Sequence, residues 1–535
     1  MAVVSTQLLL GGRIYSASAP DATAMAVTDG IVTWTGEDRT GRALHPGAEE
    51  FDLAGAFVAP AFVDSHVHTT AHGLALGGLN LTGCRSRAHC LDSLRRYVLA
   101  SVDPVIWGHG FDESTWQDGG APTTTELDEI APGRAVYLTR IDAHSAACSS
   151  VLRNASRTDL TRLAGYHPQT PLTSDAHHAA RAAARSMLTV AVRAQAQKRA
   201  LDDAAASGIC AVHECGGPDV SGRADFAELM SLDHGVEVRG YWGQAVSTAQ
   251  EARDVLADTG AHALGGDIFV DGSLGSRTAW LQEPYDDAPG TGVSYLGVDA
   301  IADHVAACTE ANVQAGFHAI GDAAVAAVVE GFSRVAQTVG GPRLAARGHR
   351  VEHLEMVTDE QVTKLASWGV IAAMQPRFDR LWGGESSLYA QRLGRDRALR
   401  LNPFAQLASS GVSLAFGSDA PVTAMDPWAV SRAAVNHRTS GSGLSPRAAF
   451  AASTRGAWRA GGVRDGLAGT LAPGAPASYA IWEAQELVVR APKDGVARWS
   501  TDPRAGVPPL PPLDEDSPSP RCLRTVHRGR VIHEA

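Results

Sequence analysis

Two histidines separated by a single residue, His66 and His68, follow the apolar run Phe57–Val63. Such a run, interrupted only by Pro60, predicts a buried strand that is entered through a turn. Side chains alternate along a strand, so residues i and i+2 share a face, and two imidazoles there can chelate one metal ion. Two hydrogen-bonded histidines in a polar loop would have the same spacing, so this motif alone leaves both interpretations open.

Polar residues end other apolar runs in the same way. They are His213, Glu214, Asp267, His318, His353 and Asp419. A single histidine at a strand end is usually structural, whereas several together with carboxylates are hard to explain by packing. Imidazole and carboxylate ligands with open positions suit Zn²⁺, Fe²⁺ or Mn²⁺ as a Lewis acid. The pattern predicts a divalent metal, zinc in the first instance, as one or two ions.

The elements that must position these residues alternate between helix and strand. Predicted helices, each followed by a predicted strand, cover 176–207, 299–312, 323–339, 358–368 and 403–409. Repeated βα units predict parallel strands and, in this number, a closed (β/α)₈ TIM-like barrel of the α/β class. The carboxyl ends of barrel strands meet at one mouth, where catalytic residues gather. A doubly wound sheet competes, but its Gly-rich phosphate loop is missing.

Both ends of the chain are predicted to be rich in short strands. They cover 8–15, 24–27 and 31–34 at one end, and 477–482, 487–489 and 525–532 at the other. We expect residues 1–61 and 468–535 to form one small composite β-sandwich, and residues 62–467 to form the barrel. Two separate β appendages are the alternative. Residues 502–520, rich in proline and acidic groups, are predicted to form an irregular surface loop.

Composition narrows the class of protein. The chain has 535 residues, a net charge of −12, and seven cysteines without a Cys-x-x-Cys pair. The acidic balance argues against a nucleic-acid partner, and the cysteines indicate a reducing compartment. No apolar run reaches the ~20 residues of a membrane span, and no basic region precedes the first apolar stretch. We expect a cytoplasmic protein with a small-molecule substrate and no membrane partner, and a homodimer is left open.

Several motifs together resemble those of the amidohydrolase superfamily of metal-dependent hydrolases. The matching stretches are Pro60–His68, Asp271–Ala279, Phe317–Asp322, Arg350–His353, Gly417–Pro421 and Gly466–Gly474. The nearest branch contains N-substituted formamide deformylase and exoenzyme-regulatory proteins. The resemblance implies a (β/α)₈ barrel with a composite β-sandwich. It also implies that five side chains face the metal site: His66, His68, His318, His353 and Asp419.

One position departs from the superfamily. Many relatives carry a lysine on the fourth barrel strand whose carbamate bridges two metals, and the matching residue here is Asp267. The only lysines are Lys198, Lys364 and Lys493, and none is predicted to lie at the site. Asp267 or Glu214 could bridge two ions. Alternatively, a single ion could take His66, His68, His318 and Asp419 while His353 acts on the substrate. We favour one tightly held ion, with Asp267 orienting a histidine from behind.

The expected activity is metal-dependent hydrolysis of a carbon–nitrogen bond other than a peptide bond, in a small amide, an N-substituted formamide or a cyclic amide. Asp419 would move the proton of an activated water, and His353 would polarise the carbonyl. Arg277, His109 and Trp382 are the predicted substrate-binding residues. A deaminase, an esterase and a non-catalytic regulatory relative are the alternatives.

Overall fold

The structure is a computed structural model that describes residues 5–117, 119–489 and 508–535. Parallel strands separated by helices occupy the middle of the chain, and mainly antiparallel sheets come from its two ends. Across the described ranges, no helix combines the length and the apolar character that crossing a bilayer requires.

The strands are short, and they are numbered here in chain order. They are β1 (Thr6–Leu10), β2 (Arg13–Ile14), β3 (Ala24–Thr28), β4 (Ile31–Gly36), β5 (Glu49–Asp52), β6 (Phe57–Pro60), β7 (Phe62–Val67), β8 (Leu79–Asn80), β9 (Val105–Phe111), β10 (Ala135–Arg140), β11 (Ser145–Cys148), β12 (Leu172–Thr173), β13 (Ile209–Gly216), β14 (Glu237–Trp242), β15 (Gly316–Ala319), β16 (Arg350–His353), β17 (Ile371–Met374), β18 (Ser413–Phe416), β19 (Tyr479–Glu483), β20 (Arg521–His527) and β21 (Arg530–Glu534).

The α-helices connect these strands. They are α1 (Asp38–Leu44), α2 (Thr69–Gly77), α3 (Arg87–Ala100), α4 (Thr124–Ile130), α5 (Ser150–Asn154), α6 (Ser174–Ser186), α7 (Val190–Ala206), α8 (Arg223–Met230), α9 (Ala249–Thr259), α10 (Val298–Ala311), α11 (Asp322–Val339), α12 (Gly341–Ala345), α13 (Asp359–Ser367), α14 (Pro376–Trp382), α15 (Leu388–Leu393), α16 (Arg395–Ala398), α17 (Phe404–Ser409), α18 (Pro427–Val435), α19 (Pro446–Ala451) and α20 (Ala457–Ala460).

The strands that carry the predicted site are parallel and form two sheets, in the orders β14–β13–β7 and β15–β16–β17–β18. Single parallel bridges extend these sheets at their edges: Tyr241 with Ala263, Leu264 with Ala315, and Val67 with Ala420. The last bridge makes β7 and the segment that follows β18 neighbours. An open doubly wound sheet would instead hold its edge strands apart. The fold is therefore of the TIM-barrel-like α/β type, with the strands' carboxyl ends on one side.

Apolar patterning explains how the outer helices pack on these strands. Helix α11 buries Val325, Val328 and Phe332, spaced three and four residues apart along one face. They belong to one core with Phe317 of β15 and Val351 of β16. Burial of the parallel strands under such helices fits their nearly continuous apolar sequences.

Strands from the two ends of the chain pair directly. The sheet in the order β2–β6–β19–β20–β21 includes β19 antiparallel to β6, with Tyr479 opposite Pro60 and Trp482 opposite Phe57. A second sheet has the order β4–β3–β1–β5. Apolar residues of both sheets share one core: Leu9, Met25, Val32, Val58, Tyr479, Ile481 and Val526.

Two of the predicted elements are each divided into two in the structure. The strand predicted at Phe57–Val63 divides at Ala61, so that β6 joins the terminal sheet and β7 the parallel sheet. The helix predicted over 176–207 divides into α6 and α7, because the hydroxyl of Thr189 accepts from the backbone nitrogen of Val192 and caps a new helix.

Other differences lie near the ends and in the first half of the chain. The strand predicted at 525–532 is a hairpin that turns at Arg528-Gly529 between β20 and β21. Predicted strand 487–489 makes a single bridge, from Val488 to Leu510. Residues 502–507 of the predicted loop lie outside the described residues. A five-stranded sheet, β12–β11–β10–β9–β8, was not predicted.

Candidate metal centre

Strand ends bring six predicted side chains to one place. His66 lies in β7, His68 directly follows it, His318 lies in β15, and His353 is the last residue of β16. Asp419 follows β18, and Asp267 precedes Phe269, which bridges to His318. All six side chains are buried or nearly so.

Hydrogen bonds fix the rings of His66 and His68. Nδ1 of His66 lies 2.8 Å from the carboxylate of Glu352. Nδ1 of His68 lies 3.1 Å from the carbonyl oxygen of Cys215. Because these oxygens only accept, each Nδ1 of a neutral ring is the donor. The lone pair of each Nε2 is therefore unused, as a metal ligand requires.

The rings of His318 and His353 are fixed by the same principle. Nε2 of His318 lies 3.3 Å from the carbonyl oxygen of Gly272, which leaves its Nδ1 turned towards Asp267. Nδ1 of His353 lies 2.7 Å from Oε1 of Gln375. Nε2 of His353 is buried and has no hydrogen-bond partner. Each of these rings thus also presents one lone pair to the centre.

The carboxylate of Asp267 lies among these nitrogens. Its nearest oxygens are 3.5 Å from Nε2 of His66, 3.3 Å from Nε2 of His68, 3.3 Å from Nδ1 of His318 and 4.0 Å from Nε2 of His353. All four rings are oriented from behind by other groups. The carboxylate of Asp267 is therefore close enough to share a metal ion with these rings, while its contact with His318 leaves the expected orienting role a prediction.

Asp419 completes the inner group. Its Oδ1 is buried without a hydrogen-bond partner, and it lies 3.6 Å from Nε2 of His66 and 3.2 Å from Nε2 of His68. The backbone of Asp419 has a φ of 54°, and that of His353 has a φ of 68°. Such conformations are costly for residues other than glycine and cluster at functional sites.

These residues fit a divalent cation. Three buried atoms of the centre that could bind a metal have no hydrogen-bond partner in the described part of the chain: Nε2 of His66, Nε2 of His353 and Oδ1 of Asp419. Ligand bonds of 2.0–2.1 Å in a tetrahedral zinc site place donor atoms about 3.3–3.5 Å apart. The distances of 3.2–3.6 Å from Nε2 of His66 and His68 to the nearest oxygens of Asp267 and Asp419 match that spacing. The rings of His318 and His353 lie 4.3 Å apart and face Oδ1 of Asp267.

Electrostatics favour a cation at this place. Burial alone would lower the pKa of His68, but Asp419 and Asp267 outweigh it and raise the pKa to about 9. The same two carboxylates raise the pKa of His66 against its burial. The pKa of Asp267 falls well below its ordinary value, because nearby histidines outweigh its burial. The carboxylates thus form a focus of negative charge that a metal ion would neutralise.

The other predicted site residues lie at different distances from the centre. Glu214 lines the cavity, where its carboxylate accepts from the backbone nitrogen of Thr69 at 2.7 Å. His109 also lines this cavity, but both of its ring nitrogens have hydrogen-bond partners. Trp382 lines an adjoining cavity that reaches His318 and His353.

Arg277 does not reach either cavity. Its guanidinium binds Asp287, with nitrogen–oxygen distances of 3.0 and 2.8 Å, so it ties its own loop. His213 ends an apolar run but lies 3.1 Å from Arg350, away from the inner group. These two positions are explained by structure, and neither gathers with the ligands.

Three residues of the centre were missed. Glu352 immediately precedes His353 in a motif that was recognised, and it orients His66. Gln375 follows β17, so the strand-end rule would have found it. His144 was not among the predicted site residues, yet its ring centroid lies 5.2 Å from that of His318 and the residue lines the cavity. No signal in the sequence distinguished His144 from other histidines.

Comparison with known proteins is consistent with this geometry. The profile described as "Amidohydrolase family" matches residues 49–533. Protein LONG AFTER FAR-RED 3 of Arabidopsis thaliana is 27% identical over 463 residues, which cover 81% of this chain and 78% of that protein.

Two further similarities concern the branch and the fold. N-substituted formamide deformylase of Arthrobacter pascens is 23% identical, over 81% of this chain and 83% of that protein. The crystal structure of an uncharacterised metal-dependent hydrolase from Pyrococcus furiosus is 26% identical, with a TM-score of 0.67, over 89% of this chain and 98% of that one. The expected branch and the TIM-barrel-like fold are thereby confirmed.

Proposed function

The chain belongs to the amidohydrolase family, and on this premise we propose that it is a metal-dependent hydrolase of a small amide or N-substituted formamide. The observation that supports this proposal is the set of four imidazoles, those of His66, His68, His318 and His353. Each is held by one nitrogen and presents the other to the carboxylates of Asp267 and Asp419. Binding a non-metal ligand would not require four oriented lone pairs around buried carboxylates.

The tightly held ion would take His66, His68, Asp267 and Asp419, because the nearest oxygens of both carboxylates lie 3.2–3.6 Å from Nε2 of both histidines. We propose zinc, because imidazole and carboxylate ligands suit it. When bound, a divalent ion supplies Lewis acidity, lowering the pKa of water and polarising a carbonyl oxygen. His318 and His353 both face Oδ1 of Asp267, and they would form a weaker position for another ion that shares this oxygen.

The chain's own groups account for orientation and proton transfer. The carboxylate of Asp419 would accept a proton from the attacking water and return it to the leaving nitrogen. His353 was expected to donate to the carbonyl oxygen, but its Nδ1 carries the hydrogen, and burial holds its pKa well below the ordinary value. A neutral ring of this tautomer has no hydrogen on Nε2 to donate. His353 therefore suits a ligand role better than a polarising one.

A test of the function combines metal analysis with a substrate screen. Purified protein should hold one equivalent of zinc after dialysis, and it should hydrolyse N-substituted formamides or small amides to a carboxylate and an amine. Chelation should abolish turnover, and added zinc should restore it. Turnover that persists without metal, or release of ammonia from a heterocycle in place of amide cleavage, would refute the proposal.

The architecture carries a proposal of its own. We propose that the seven strands of the two parallel sheets, with the bridging segment at Ala263 and Leu264 as the eighth, form one closed ring, and that both chain ends form one composite β-sandwich. The division at Ala61 between β6 and β7 supports the expected boundary between 1–61 and 62–467. The shared core of Val58, Tyr479 and Val526 supports joining 468–535 to the first segment. An experimental structure with these ends apart would refute it.

A further inference from the structure

The cavity at the candidate metal centre extends to helix α6, where Arg181 lines the same cavity as His68 and Asp267. Nε and Nη2 of Arg181 are buried, and they have no hydrogen-bond partner among the described residues. Guanidinium donors that are removed from water without a partner are unfavourable. The arrangement therefore lacks a group that accepts from Arg181.

The carboxylates of this cavity outside the metal centre already have other partners. They are Asp225 with Thr70 at 2.6 Å, Asp142 with Arg140 at 3.1 Å, and Glu214 with the backbone nitrogen of Thr69 at 2.7 Å. None of these contacts involves Arg181. The accepting group is therefore best supplied by a ligand.

A second guanidinium strengthens the positive charge at this end. Arg185 lies one helical turn after Arg181 and lines the same cavity. Among the described residues, its nitrogens donate to two backbone carbonyl oxygens, those of Asp219 and Pro218, each at 3.3 Å. Asp267 and Asp419 lie at the metal centre, whereas at the other end the two arginines are accompanied by Asp225, whose carboxylate is already bonded to Thr70 and Gln197.

Aromatic contacts connect the two ends over a short distance. The ring of Phe269 lies 5.0 Å from that of His318 and 5.5 Å from that of His178. His178 is on α6, three residues before Arg181. Other walls of the cavity are apolar and include Leu74 and Trp107. A ligand could thus span both ends with an apolar body between two polar groups.

Building on the proposed function, we propose that Arg181, assisted by Arg185, is an anion subsite, and that the substrate is an amide carrying a carboxylate. Guanidinium presents donors in a planar fork that matches both oxygens of a carboxylate. The scissile carbon–nitrogen bond would lie at the metal centre while the carboxylate lies at α6. Arg181 is then a specificity-determining residue that does not touch the reacting atoms.

Turnover of a matched substrate pair tests the subsite. N-formylphenylalanine and its neutral carboxamide differ in charge but hardly in size, and wild-type protein loaded with zinc should prefer the anion. Arg181→Gln should lower kcat/KM for the anion by about 10–100-fold, mostly through KM, because a charge-assisted pair is lost. The kcat/KM of Arg181→Gln for the carboxamide should equal that of the wild type. Arg162→Gln removes an exposed guanidinium and should change neither rate.

Binding provides a readout that is independent of turnover. Calorimetry should show that 4-phenylbutyrate binds wild-type protein more tightly than 4-phenylbutyramide, and that Arg181→Gln removes this difference. A carboxylate bound only to the metal would keep its preference in Arg181→Gln, and that result would overturn the subsite. If neither formyl compound is hydrolysed, the proposed function is in question, while the calorimetric comparison still decides the subsite. An equal loss of kcat/KM on N-formylphenylalanine and its carboxamide in Arg181→Gln would also overturn the subsite.

Discussion

Two regions of this molecule that contain buried histidines can be compared, the mouth of the parallel strands and the layer between these strands and the outer helices. In the outer layer, Nδ1 of His304 accepts from the backbone nitrogen of Val246 at 3.1 Å, and its Nε2 donates to the carbonyl oxygen of Leu264 at 3.2 Å. Burial lowers the pKa of His304 to about 4, so the ring stays neutral. Both nitrogens are used to hold the fold.

His349 of the outer layer follows the same rule. Its Nδ1 accepts from the backbone nitrogen of Ala315 at 2.9 Å, and its Nε2 lies 3.0 Å from the hydroxyl of Thr309. At the mouth, in contrast, His66 and His353 each have an Nε2 without a partner. Burial is equal in the two regions, so it does not identify a site.

The convergence of unused lone pairs is what distinguishes the mouth. His213 also has a buried Nε2 without a partner, but its other nitrogen faces the guanidinium of Arg350 and no carboxylate accompanies it. An unused nitrogen is therefore insufficient by itself. Several such nitrogens around shared carboxylates indicate a cation site.

The largest effect should come from removing a ligand at the mouth. His68→Ala should retain no tightly bound metal. Its kcat should fall on the order of 10³-fold or more, because a bound metal lowers the activation barrier by several kcal/mol. Folding should survive, because the His68 ring makes one hydrogen bond to a backbone oxygen. Elemental analysis and circular dichroism check both points. Full metal content with normal turnover would remove His68 from the ligand set.

Asp267→Asn should come next. The amide keeps the shape but loses the charge that lies among four histidine nitrogens, so zinc affinity should fall by more than the ~10–100-fold typical of orienting partners. Competition with a fluorescent zinc chelator measures this affinity. A smaller decrease, with the metal content unchanged, would return Asp267 to the orienting role that was expected from the sequence.

Gln375→Leu should have a smaller effect. It removes the acceptor that holds His353, outside the tightly bound group, and activity should fall by about 10–100-fold. The equivalent of tightly held zinc should remain. Gln375→Glu restores an acceptor oxygen and should recover most of the activity. Equal losses in the two variants would show that the hydrogen bond to His353 is unimportant.

The smallest effect on activity should come from the outer layer. His349→Leu leaves the backbone nitrogen of Ala315 without its acceptor, so the free energy of unfolding should fall by about 1–3 kcal/mol. Zinc content and kcat should stay at wild-type levels. Denaturant unfolding together with zinc analysis makes the comparison with His68→Ala. Loss of metal in His349→Leu would break the distinction between the two regions.

Local patterns were sufficient to predict most of the inner group. Alternation along a strand placed His66 and His68 on one face, and strand ends identified His318, His353 and Asp419 without knowledge of the topology. The groups that orient these rings were not predictable in the same way. The carbonyl of Cys215 reaches His68 only because β13 pairs with β7 through an irregular register.

Some elements of the fold gave no usable periodicity. Strands β8 and β12 have two residues each, too few to show alternation, and they join the unpredicted sheet through partners far along the chain. Arg277 was proposed for a substrate because of its motif, whereas its partner Asp287 depends on how the loop closes. Long-range pairing of this kind depends on tertiary contacts and not on neighbouring residues.

The antiparallel pairing of β6 with β19 has a consequence for biosynthesis. Phe57 leaves the ribosome more than 400 residues before Trp482, the residue that it faces in the finished sheet. At about 5–20 residues per second, the open edge of β6 waits on the order of 20–80 s for its partner. During that interval an unpaired, apolar strand is open to association with other chains, which makes the nascent protein a client for chaperones that cover such edges.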